Sequence, residues 1–110
     1  VLRDPLAPLA ELLAHCAEAR VVWSGDTGPR HLARALRRPA VIVAGPTDPR
    51  HCAVTAEERL VRVRVACGPC HLERCPLSGA EELACMKRIE PERLAQETLE
   101  LLAEPSILPR

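Results

Sequence analysis

Phenylalanine and tyrosine are missing from this 110-residue sequence, and Trp23 is its one aromatic residue. The core therefore has to be packed from Ala, Leu and Val, without the large buried areas that aromatic rings supply. That shortage and the length predict one modest domain at most, and a part of a larger protein rather than a complete unit. Net charge is missing too. Fifteen basic and fifteen acidic residues cancel, which excludes an overall field that would gather nucleic acid or an anionic membrane surface. Lys87 is the single lysine, a bias that carries no functional argument. No apolar run approaches the ~20 residues of a membrane span, and no stretch reads as a secretory leader. The chain opens at Val1 without a methionine, which adds to the expectation of a fragment. What the sequence has in plenty is cysteine, six in all.

Leu9, Leu12, Leu13 and Cys16 recur at helical spacing and predict a helix from about Pro8 to Ala19. Val21-Val22-Trp23 is short and wholly apolar, as expected of a strand buried on both faces. A second helix is expected from Pro29 to Leu36, with Leu32, Ala35 and Leu36 toward the sheet and Pro39 stopping it. The run 39–44 is the next strand, so strand, helix and strand form a βαβ unit with parallel strands. Alternation of Val61, Val63 and Val65 with arginines predicts a third strand over 59–66, with one polar face near a sheet edge. The segment 67–85 holds too much proline and glycine for a regular element. A closing helix runs from Pro91 to about Leu102, with Leu94, Thr98, Leu101 and Leu102 on one face. The tail from Pro105 is expected to fray or to rest on a neighbouring domain.

The stretch Ser24-Gly25-Asp26-Thr27-Gly28-Pro29-Arg30-His31 turns a strand into a helix. The first N–H groups of a helix lack intrahelical partners and sit at its positive dipole end, which suits an anion such as a diphosphate. Thr27 offers a hydroxyl, Gly28 allows close backbone approach, and the N–H donors would be those of Gly28, Arg30 and His31. A carboxylate is repelled by phosphate, so Asp26 fits sugar hydroxyls or a capping role, and His31 fits a phosphate or departing oxygen. Plain capping and packing remain the alternative, because glycine-bearing turns of this kind are common. The loop Gly45-Pro46-Thr47-Asp48-Pro49 follows the next strand. Both loops thus lie beyond the carboxyl ends of adjacent parallel strands, where open α/β sheets bind ligands. Most of the second loop consists of ordinary turn residues, with Thr47 either a ligand contact or a local backbone partner.

Cys16 and Cys52 stand alone, whereas Cys67, Cys70, Cys75 and Cys85 cluster around His71. Four thiolates can hold zinc tetrahedrally, yet only one CxxC knuckle is present and Cys70 adjoins His71. A disulfide or redox pair is the second reading, and reduced packing cysteines the third and default one. No metal is assigned from sequence.

The joint pattern Asp26-Thr27-Gly28-Pro29-x-His31-Leu32-Ala33-x-Ala35-Leu36-x-x-Pro39, then Gly45-Pro46-Thr47-Asp48-Pro49, resembles the C-terminal domain of glycosyltransferase family 9, the ADP-heptose:lipopolysaccharide heptosyltransferases. The resemblance continues through Cys67-x-x-Cys70, Cys75-Pro76-Leu77, Cys85-Met86 and Ile89-x-Pro91-Glu92, and so covers nearly the whole chain. It implies an α/β fold, a Rossmann-like parallel sheet forming part of the donor-binding domain of a GT-B enzyme over residues 1–110. It implies inverting transfer of heptose from ADP-heptose to the lipopolysaccharide inner core, with no cofactor or metal required, in the cytoplasm. Asp26, Thr27, Gly28 and His31 would contact the donor, and Arg30, Gly45 and Thr47 would belong to a donor or acceptor loop.

The catalytic carboxylate and acceptor site would lie in an N-terminal domain that this sequence does not contain. The chain alone is therefore expected to be inactive, and the lipopolysaccharide acceptor, like any peripheral contact with the inner membrane, would come through that domain. Three departures stand out. Gly25 and Arg30 replace the Asn and Met usual in the family, and Arg38 replaces its usual glycine before the proline. Arg30 would either add a phosphate contact or point to solvent. Another GT-B sugar transferase, a nucleotide-sugar epimerase, or a zinc or redox module built on the cysteines are the competing readings.

Overall fold

The computed structural model describes residues 8–51 and 53–104. The expectations for Cys52 and for the tail from Pro105 lie outside them. Helix α1 spans Leu9–Glu18, with Pro8 as its cap residue and its chain extended there, so the helix begins one residue later than expected. Strand β1 is Val22–Gly25, α2 is Gly28–Ala35, β2 is Ala40–Val43 and β3 is Glu58–Val61. A short helix α3, Ala84–Lys87, and the closing helix α4, Pro91–Ala103, complete the chain. Single 3₁₀ turns occupy Pro49–His51 and Gly79–Glu81. Among the described residues, no helix is long and apolar enough to cross a membrane.

The three strands lie in the order β1-β2-β3 and are all parallel. Gly25 stands opposite Val43, and Val43 opposite Val61. Helix α2 links β1 to β2 as the expected crossover, and the fold is α/β with a Rossmann-like arrangement. Successive strand residues point to opposite faces, and each face of the sheet has its own core. On one face Val41 and Val61 pack with Leu101 of α4, flanked by Val21, Ile89 and Leu94. On the other, Ala40 and Ile42 pack with Ala33 of α2, flanked by Val22 and Leu60. Small alanines on this side let α2 sit close to the strands.

Four expectations need correction. The run Val21–Trp23 is not buried on both faces. Among the described residues β1 is an edge strand of the sheet, and Trp23 is 53% exposed, its indole N–H donating to Thr98 Oγ1 of α4 at 2.8 Å. The third strand is Glu58–Val61 rather than 59–66, because β2 ends at Val43 and offers no ladder partner beyond Val61. The buried residues of α2 are Arg30 and Ala33 rather than Leu32, Ala35 and Leu36; Ala35 is exposed. The cysteine segment is not wholly irregular either, since it runs into α3.

Helix α2 ends with Arg37 in the left-handed region at φ 54°. The Arg37 amide donates to the Arg34 carbonyl at 3.0 Å and the Arg38 amide to the Ala33 carbonyl at 2.8 Å. This double closure is the helix stop that glycine usually makes, since a side chain strains the left-handed conformation. Arg37→Gly is expected to raise stability by about 0.5–1 kcal/mol, read as a higher urea midpoint with an unchanged slope. The surface pair it removes, Arg37 with Glu57, is highly exposed on the arginine side and contributes little.

Candidate functional site

The β1–α2 corner and the loop after β2 lie side by side, because Gly25 and Val43 are register partners at the ends of adjacent parallel strands. Thr27 caps α2 in extended conformation, without a side-chain cap bond. Thr27, Gly28 and His31 are exposed along the mouth of the corner. The Arg30 amide donates to the Thr27 carbonyl at 3.1 Å, which removes it from the expected set of anion donors. The Gly28 amide stands at the first position of α2, where the helix has no carbonyl of its own to offer it. Gly45 and Thr47 occupy the second loop, both half-buried.

Arg30 neither reaches into the corner nor points to solvent. It is 1% exposed and turned inward beneath the corner. Its Nε and Nη2 donate to the two carboxylate oxygens of Glu58 at 3.0 and 3.1 Å, and Nη1 donates to Asp26 Oδ1 at 2.8 Å. Arg34 Nη2 donates to Glu58 Oε2 at 2.8 Å and to the Ala53 carbonyl at 2.7 Å. A buried guanidinium needs paired carboxylates to offset its desolvation, and this is why Arg30 takes an interior course. Asp26 is thereby held from behind, with its side chain 14% exposed. Burial pushes the Glu58 carboxyl up, but the bonds from Arg30, Arg34 and the Thr55 amide outweigh it and hold the group at about 2.

Asp26, Arg30 and Arg34 recur at a spacing of four on one face of the turn and helix. That signal was present in the sequence. The partner, Glu58, carries no local mark, since a glutamate at the start of a strand reads as an exposed edge residue.

Asp48, in the second loop, is buried and receives the Arg50 guanidinium at both oxygens, at 2.6 to 3.0 Å, and the Arg50 amide at 2.9 Å. The Arg50 side-chain bonds, then its backbone bond, hold the Asp48 carboxyl far below the usual range. His51 and His71 stack with ring centres 5.0 Å apart. The His71 amide donates to the Pro46 carbonyl at 2.9 Å. The cysteine segment thus rests on the second loop. Among the described residues, ligand-type atoms of Asp48, His51 and His71 come within 4.8 Å of one another. Cys67, Cys70, Cys75 and Cys85 line one cavity of about 100 Å³ beside Pro46.

A parallel βαβ sheet with two loops converging at its carboxyl edge defines an α/β protein of Rossmann-like architecture. The chain belongs to glycosyltransferase family 9 (heptosyltransferase), whose family model matches residues 5–81. It is similar to the lipooligosaccharide heptosyltransferase 2 of Campylobacter jejuni serotype O:2, 32% identical over 81 residues, which is 72% of this chain and 24% of that protein. The same-named protein of serotype O:6 is 30% identical over 80 residues, covering 71% of this chain and 24% of the relative. The chain thus spans about a quarter of the length of the curated relatives it matches. No solved structure matches the chain at a significant level.

The Arg30–Glu58 pair makes a definite prediction. Glu58→Ala strands a buried guanidinium and is expected to cost about 3–5 kcal/mol, whereas Arg30→Met combined with Glu58→Leu is expected to cost less than Glu58→Ala alone, since no buried guanidinium is then left unpaired at position 30. The pH dependence has one sign. A carboxyl depressed on folding contributes its stability above its usual value of 4.5, and that stability is lost as pH falls toward about 2. Acid unfolding curves of the parent should therefore steepen below 4.5, and those of the double variant should flatten there.

Proposed function

We propose that this chain is the donor-binding part of the C-terminal domain of a GT-B heptosyltransferase. It would bind a sugar nucleotide, ADP-heptose, for inverting transfer to a lipopolysaccharide-core acceptor held by the N-terminal domain. The observation that carries the reading is the pairing of two loops at the carboxyl ends of adjacent parallel strands, in a chain of this family. In this reading the Thr27 hydroxyl and the Gly28 and His31 amides face the diphosphate, and the His31 ring stands one turn into α2 beside them. Asp26, anchored through Arg30, presents its carboxylate to sugar hydroxyls rather than to phosphate. Gly45 and Thr47 form the facing wall. Arg30 is a positioning residue. No step needs a metal, because the helix start supplies the partial positive charge. The cytoplasm, where nucleotide sugars are made, is the expected compartment.

The full-length enzyme provides the test. Thr27 is exposed and bonded only weakly to Ser24, at 3.5 Å, so Thr27→Val leaves the fold intact. The variant loses a hydrogen bond to a charged group and is expected to bind ADP and ADP-heptose about ten-fold more weakly or worse, measured by calorimetry. Asp26→Asn is expected to weaken ADP-heptose more than ADP. Unchanged affinity for both ligands in both variants would overturn the reading.

A further inference from the structure

We propose that Cys67, Cys70, Cys75 and Cys85 form a thiolate site for one zinc ion, which fastens the cysteine segment to the carboxyl edge of the sheet. The need for a fastening is visible in the packing. Between the buried Val61 and Ala84, no residue from Arg62 to Leu83 is buried. An irregular stretch of that length inside a compact domain is uncommon, and apolar burial is not what holds this one. Its backbone bonds to the preceding loop and the closing helix include the His71 amide donating to the Pro46 carbonyl at 2.9 Å and the Arg62 carbonyl accepting from Arg93 Nη1 at 3.1 Å. What its two ends share is the cavity that all four cysteines line.

The chemistry of that cavity favours a cation. All four cysteines are free. Zinc takes four sulfur ligands tetrahedrally, and its charge is what would let four thiolates share one cavity. The Leu83 amide already donates to Cys75 Sγ at 3.3 Å, the kind of outer bond that steadies a thiolate ligand. Cys85 lies in the first turn of α3, and a β-carbon on Gly45 would stand 3.3 Å from its sulfur. The site is therefore built against the end of β2.

Among the described residues no three of these sulfurs come within the 4.8 Å that Asp48, His51 and His71 satisfy. Zinc uptake draws them inward, each ligating thiol releasing its proton to water. The histidine cluster is the weaker metal site, because the Arg50 guanidinium already occupies both Asp48 oxygens.

The test is zinc analysis of the full-length protein purified under reducing conditions from zinc-supplemented cells. One zinc per chain is expected, retained in His51→Ala and lost in Cys70→Ser and Cys85→Ser. Cobalt added to the zinc-stripped parent should give the intense visible bands of a tetrahedral ion, with thiolate charge transfer in the near ultraviolet. That readout needs no variant to fold. Zinc removal should also open 62–83 to limited proteolysis. Four free thiols with no zinc and no cobalt–thiolate band would overturn the proposal. So would disulfides found by mass spectrometry in that protein, or a metal lost from His51→Ala but kept in the cysteine variants.

Discussion

The buried contact between Arg30 and Glu58 is the constraint from which the candidate corner takes its shape. One guanidinium joins the first turn of α2, the first residue of β3 and the carboxylate of the β1–α2 loop. With Arg34 it balances two negative groups by two positive ones, so the cluster carries no net charge beneath the corner. Such a pair is weak as a source of stability, because desolvation consumes most of its Coulomb energy. Its effect is geometric. Helix α2 cannot rotate about its axis without stranding a charge, and the loop that begins it is fixed with it. The Ala53 carbonyl, which accepts from Arg34, adds the segment before β3 to the same anchor.

This anchor also accounts for a departure noted in the sequence. Where the family usually has methionine, this chain has Arg30. The position faces the interior in the structure, which suits an apolar side chain elsewhere, and an arginine is accommodated here because Glu58 and Asp26 meet it. By charge alone Arg30 reads as a ligand contact or a solvent-facing residue, but its face of the helix decides its place. Ala33, three positions on, is fully buried on that face.

The elements that were legible are those defined by contiguous apolar runs or sharp punctuation. The βαβ unit followed from Val41–Val43, Pro39 and Pro29, and the closing helix from Pro91 and its leucine spacing. Less legible was anything decided by a partner distant in the chain. Strand β3 stops where β2 stops, although its alternation continues to Val65. Trp23 reads as a core residue and lies at an edge, because burial of a strand depends on neighbours that local sequence does not name. The pairing of Arg30 with Glu58 spans 28 positions and has no periodicity to betray it. The inward turn of the first loop's carboxylate was equally hidden, since capping, sugar contact and ion pairing all use the same side chain.

The two loops at the sheet edge are held by different means, and this bears on how the edge works. The first is fixed from below by charge, through Asp26 and Arg30. The second carries its own bidentate pair, Asp48 with Arg50, and is overlaid by the cysteine segment through Pro46 and His71. A diphosphate in the proposed position would add negative charge at the start of α2, which the helix dipole favours and the Asp26 carboxylate opposes. Arg30 donates to Asp26 Oδ1 at 2.8 Å from behind, and its positive charge would offset part of that repulsion. The interior ion pair and the surface corner are thus one electrostatic unit: the buried cation reaches the carboxylate of the corner itself.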